Sequence, residues 1–144
     1  MPSWRDLASQ SAQDDLDELL NLALGFAQEQ LDKHGAFFPY AAAVSADGAT
    51  RMIAVDLGTE RPASNDVIAA CVEALKAGKH ELRAAVVVAD VRLPELDSDA
   101  VCVDLEHAEG TALRVLLPYA KRRLRKDVVY GDLRAESGQR IIWA

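Results

Sequence analysis

The run from Leu82 to Val91 most constrains how this chain can fold. Extended, it places Ala84, Val86 and Val88 on one side and Ala85, Val87 and Ala89 on the other, and a strand apolar on both sides must lie inside a sheet covered on both faces. Pro94 marks its end.

Two further strands follow, and their turn sets their pairing. A three-residue loop Ala108-Glu109-Gly110, with Gly110 left-handed, sets Leu105 opposite Leu113, Val103 opposite Val115, Val101 opposite Leu117 and Asp104 opposite Arg114. A two-residue loop would oppose Leu105 and Arg114, so like-with-like pairing favours the bulged turn. An earlier pair, Phe37 to Ser45 and Thr50 to Leu57, flanks Asp47-Gly48. There a two-residue loop pairs Tyr40 with Val55, Ala42 with Ile53 and Val44 with Arg51, and a three-residue register stays open. A strand from Val128 to Leu133 and the apolar end Ile141-Ile142-Trp143 complete the extended segments.

Helical periodicity appears twice. Leu16, Leu19, Leu20, Ala23, Phe26, Ala27 and Leu31 recur at spacings of three and four over residues 14 to 31. Ser11 is the expected cap, with Asp14 three residues on; Asp15 and Asp17 suit the positive end, and Lys33, His34 and Gly35 suit the stop. Val67, Ile68, Cys71, Val72 and Leu75 form the second stripe, capped by Ser64 or Asn65 and ended by Gly78. The order is α-β-β-α-β-β-β, with room for another short strand. It predicts a single α+β domain over residues 1–144, with five to six mainly antiparallel strands and both helices on one face. Residues 1–12 form a flexible or packing segment.

With the helices on one face, Ala85, Val87, Cys102 and Leu116 form an apolar patch on the other. The segment around Trp4, the end from Ile141 to Trp143, or a second copy is the expected cover. A symmetric dimer suits a thin core, because 25 of the 144 residues are alanine.

Composition excludes several classes. The N-terminus lacks a basic region followed by an apolar run, and no stretch of about 18 apolar residues occurs, so the chain reads as cytoplasmic and without a membrane span. Cys71 and Cys102 lack metal-ligand spacing and read as reduced, packed thiols. The G-x-S-x-G, H-E-x-x-H, Walker-type and dinucleotide-binding glycine patterns are all missing, and the eight glycines stand apart. No cofactor or metal is expected.

Charge is uneven. Residues 1–110 carry 20 acidic and 8 basic groups, net −12, whereas residues 111–144 carry 3 and 8, net +5. Most of the basic excess is Lys121, Arg122, Arg123, Arg125 and Lys126. This run reads as a solvated connection or a contact for an acidic protein; a body of net −12 disfavours a nucleic acid.

Among groups able to do chemistry, His107 is placed facing the core beside Thr111, and with Tyr119 and Tyr130 it defines a candidate ligand or catalytic pocket. Asp104 and Glu106 share a strand face and read as solvent-facing carboxylates paired with Arg114. Glu95, Asp97 and Asp99 cluster in a loop without calcium-binding spacing.

Val115-Leu116-Leu117-Pro118-Tyr119, Val128 to Leu133, Arg140 to Trp143 and Phe38-Pro39-Tyr40-Ala41 together resemble a family of small uncharacterised bacterial α+β proteins, a likeness that implies no activity. The element order, with Val44-Ser45-Ala46-Asp47-Gly48 at the first turn, is weakly similar to the roadblock family of dimeric scaffold proteins, although this chain ends in strands instead of a third helix. The function expected is therefore a non-enzymatic, self-associating interaction module of scaffold-like or immunity-like type. The alternative is a small-ligand binder or enzyme.

Overall fold

The computed structural model describes residues 3–122 and 127–144. Its elements are α1 (Trp4–Leu7), α2 (Gln10–His34), β1 (Tyr40–Ser45), β2 (Thr50–Ile53), α3 (Ser64–Gly78), β3 (Leu82–Leu93), β4 (Ser98–His107), β5 (Ala112–Lys121), β6 (Val128–Tyr130) and β7 (Arg134–Ser137). The fold is α+β, in the order the sequence predicts. One antiparallel sheet runs β2-β1-β3-β4-β5-β6, and β7 shares the outer side of β5 with β6. No described helix is long and apolar enough to cross a membrane.

The β4–β5 hairpin has the predicted register, Leu105 opposite Leu113 through Val101 opposite Leu117. Gly110, at φ 127°, occupies the left-handed bulge position. The first hairpin uses the same design instead of the expected two-residue loop. Ser45 N–H donates to Ala49 C=O at 2.8 Å, so the loop is Ala46-Asp47-Gly48 and Ala43 faces Arg51. The alanines of β1 give every register a similar partner, so side-chain matching had nothing to choose between.

Both predicted helix caps move. Ser9 caps α2 by accepting from Ala12 N–H at 3.0 Å, which starts the helix before Ser11. Helix α3 begins after Ala63 with no side-chain cap bond. Gly35 ends α2 in the left-handed conformation, as its position suggested.

The helices lie on opposite faces of the sheet, not together on one. Leu16, Leu19, Ala23, Ala27 and Leu31 of α2 pack on Ala42, Val44, Val86, Val88, Val103 and Val115. Val67, Cys71 and Leu75 of α3 pack with Ala41, Ala43, Ala85 and Ile142 behind them. Connectivity explains the correction. β2 and β3 both run antiparallel to β1, hence parallel to each other, and α3 must cross over β1 to join them. With α2 already over β1, the crossover takes the other side.

The tail from Ile141 to Trp143 covers part of the second face, one of the three covers expected, whereas Trp4 packs on the α2 side. Leu93, Ala100, Cys102 and Leu116 form a small separate cluster further along the second face. Burial pushes the Cys102 thiol up to about 11, and both cysteines are free.

Candidate functional site

Helix α2 carries one carboxylate inside its apolar stripe. Asp15 falls three residues after Ala12 and four before Leu19, and all three are buried. A charge at such a position needs partners. It has two: Arg83 Nη2 of β3 donates to Asp15 Oδ1 at 2.7 Å, and His107 Nε2 at the end of β4 lies 2.9 Å from Oδ2.

The turn after β4 supplies the rest. Glu109 N–H donates to His107 Nδ1 at 3.1 Å, which makes Nδ1 an acceptor and assigns the ring proton to Nε2, directed at Asp15. Glu109 Oε2 accepts from Ser9 Oγ at 2.6 Å, so the cap of α2 is tied to the same turn. The result is a chain of contacts, Ser9, Glu109, His107, Asp15 and Arg83, joining α2, β3 and β4. Its chemical capacity is limited, because both ring nitrogens of His107 are engaged and no lone pair is left to take a substrate proton.

The pocket expected from His107, Tyr119 and Tyr130 does not form. His107 lies at one end of β4, and Tyr119 pairs with Asp99 at the other, eight residues and about 27 Å along the strand. Tyr119 and Tyr130 do meet as a cross-strand pair. Tyr119 Oη donates to Asp90 Oδ1 at 2.6 Å, while Tyr130 Oη is buried without a hydrogen-bond partner among the described residues. Burial raises both phenols above their ordinary range, and burial likewise raises the Asp90 carboxyl. This end of the sheet is a closing seam beneath the C-terminus of α2.

The basic run is only partly described. Lys121 ends β5, and its Nζ comes within 3.4 Å of where a Gly35 side chain would begin, at the negative end of α2. Arg122 is exposed, and its N–H donates to Asp127 C=O at 2.9 Å. Arg123, Arg125 and Lys126 lie outside the described residues.

Asp104 and Glu106 divide their roles. Asp104 forms the expected pair with Arg114 at 2.7 and 3.1 Å, and that bond raises the pKa of the guanidinium. Glu106 is instead buried, a correction to its solvent-facing assignment. Its Oε1 accepts from Ile141 N–H and Ile142 N–H at 2.8 and 2.9 Å, and its Oε2 from Trp143 N–H at 2.6 Å. The tail folds back over β4 and brings three backbone donors to one carboxylate. Of the acidic loop, Asp97 and Asp99 are both answered by Arg92, and no metal-binding cluster occurs among the described residues.

On the second face a partly open cavity of about 90 Å³ lies between Val72, Leu75, Val87, Glu106 and Ile142. That is well below the roughly 300 Å³ where ordinary ligand pockets begin. A larger hollow between α1 and the β4–β5 turn, lined by Trp4, Leu7, Ser9, Glu109 and Ser137, is open to solvent.

Asp15, Arg83 and Glu109 were missed as a group from sequence. Sequence reasoning assigned Asp15 to the positive end of the helix, although its place in the stripe is a signal of burial; Arg83 and Glu109 are 68 and 94 residues away and carry no local sign. Comparison with protein-family models, curated proteins and solved structures gives no match.

Proposed function

We propose that this chain is a non-enzymatic protein-contact module that acts by self-association. The observation that carries the reading is exposed apolar side chains on both sides of the β1–β2 hairpin: Phe38 and Leu57, 54% and 40% exposed, line one hollow on the α3 side, and Met52, 40% exposed, lies opposite Ala42 on the α2 side. Exposed groups of this kind favour a covering surface. The ionisable groups singled out by sequence support the same reading, because His107, Asp104, Glu106 and Tyr119 are engaged with partners inside the fold. A cytoplasmic setting suits the two free, buried thiols.

Light scattering of the full chain across concentrations tests the proposal. A mass near twice 15.6 kDa at micromolar concentration is expected, and a monomeric mass at high micromolar concentration overturns it. A second reading, an acidic protein partner, is favoured by exposed Lys121 and Arg122 at the β5–β6 connection. Under it, the paired substitution Arg122→Glu and Arg123→Glu abolishes capture of that partner from the native host; retained capture rejects it.

A further inference from the structure

Strand β2 is an open edge, and its free groups can be assigned. The Ser45 N–H to Ala49 C=O bond fixes which residues of β2 turn their backbone toward β1, and alternation in an antiparallel pair assigns Arg51 and Ile53 to the same side. Thr50 and Met52 therefore point their N–H and C=O groups away from the sheet. Among the described residues these groups have no backbone partner. Outward backbone donors and acceptors in extended geometry are matched by another strand.

The helix above the edge continues the surface. Thr50 Oγ1 donates to Glu18 Oε1 at 2.8 Å, and the Phe26 ring meets Tyr40 edge-on at 4.7 Å. Leu22 sits one turn from each, partly exposed, and Met52, opposite Ala42, turns to the same face, so the three lie on the α2 side of the open backbone.

We propose that a second copy of this chain pairs antiparallel along β2, with Met52 on the two-fold axis. The proposal rests on the self-association reading and names its surface. Symmetry leaves two central registers that use the outward groups of Thr50 and Met52. Centring on Arg51 sets two guanidinium groups directly opposite each other, which repel. Centring on Met52 pairs Met52 with its own copy, Arg51 with the partner's Ile53 and Thr50 with the partner's Ala54, and brings the two Leu22–Phe26 flanks toward each other. Charge thus selects the second register.

Cysteine cross-linking of the full chain reads this register. In a hydrogen-bonded antiparallel pair the Cα atoms stand about 5.5 Å apart, within reach of a disulfide, whereas residue 50 would be offset from its copy by about 14 Å. Met52→Cys, which keeps Arg51, is expected to convert to covalent dimer under mild oxidation, and Thr50→Cys and the unmodified chain are expected to remain uncross-linked. Independently, Met52→Lys, which places two ammonium groups on the axis, is expected to weaken dimerisation at least tenfold by sedimentation. Cross-linking through Thr50→Cys, or none through Met52→Cys in a dimer that Met52→Lys still weakens, overturns the register. A dimeric chain with unchanged association in Met52→Lys overturns the β2 edge while leaving self-association standing. A chain that stays monomeric leaves the edge to a strand of another protein and overturns both.

Discussion

The two faces of the sheet are closed by different means. One is covered by a single 25-residue helix whose apolar stripe runs from Ala12 to Leu31 and whose N-terminal end is bound through Asp15 to two strands. The other is assembled from the 15-residue α3 and the chain's last residues, with a small cavity left between them. A continuous amphipathic helix buries its face cooperatively, because each turn holds the next in register. A tail of three residues has no such support, and here one buried carboxylate supplies it.

Asp15→Ala should strike the first face and give the largest effect. It removes the acceptor of both His107 and Arg83, and a loss of about 3 kcal/mol is expected in urea unfolding, at the low end for broken buried pairs because the Arg83 side chain is 38% exposed and can be solvated. The loss should appear as one cooperative transition. A two-stage transition would show that α2 detaches by itself.

Glu106→Ala strikes the second face and should cost less, about 1–2 kcal/mol, because the released tail recovers water for its N–H groups and chiefly forfeits the burial of Ile142. Hydrogen exchange should accelerate at residues 141–143 while the amides of β3 and β4 stay protected. Uniform acceleration through the sheet would erase the contrast between the faces. Gly138 gives an independent approach to the same region. A Cβ there would lie 2.8 Å from backbone atoms of Leu113, so Gly138→Ala should push β7 from β5 and speed exchange in the tail with Glu106 intact.

The smallest expected effect lies at the far end of the α2 face. Burial raises Asp90 above its ordinary pKa of 3.8, so the folded state holds the proton more tightly than the unfolded state. Its contribution is fully present below the unfolded value and is lost as pH rises through the folded value. Asp90→Asn, which keeps an acceptor for Tyr119, should raise the melting temperature slightly at pH 7 and not at pH 3. An equal change at both values would show that ionisation of Asp90 is not the cause.

The parts of this fold legible from sequence share a physical basis. The β4–β5 register could be read because Leu105, Val103 and Val101 have bulky partners only in one alignment, and Asp104 and Arg114 mark the other face. The first hairpin could not, since Ala41, Ala42 and Ala43 fit any partner. Glu106 misled for a related reason: alternation correctly put it on the second face, and alternation has no means of showing that the tail returns from 35 residues away to cover that face. The expected pocket puts His107 near Tyr119 because both face the core, although antiparallel pairing sets Tyr119 opposite Asp99, at the other end of β4 from His107.

Local pattern alone is enough for the α+β class, the order of elements, the stripe of α2, the bulged turn at Gly110 and the buried character of both thiols. All of these depend on neighbours within a few residues or on one hairpin. Long-range packing puts α2 and α3 on opposite faces, brings Asp15, Arg83 and His107 together, ties the tail to Glu106 and leaves β2 as an open edge. Each of those follows from which strand lies beside which, a choice made by the whole packed sheet when it excludes water from both faces.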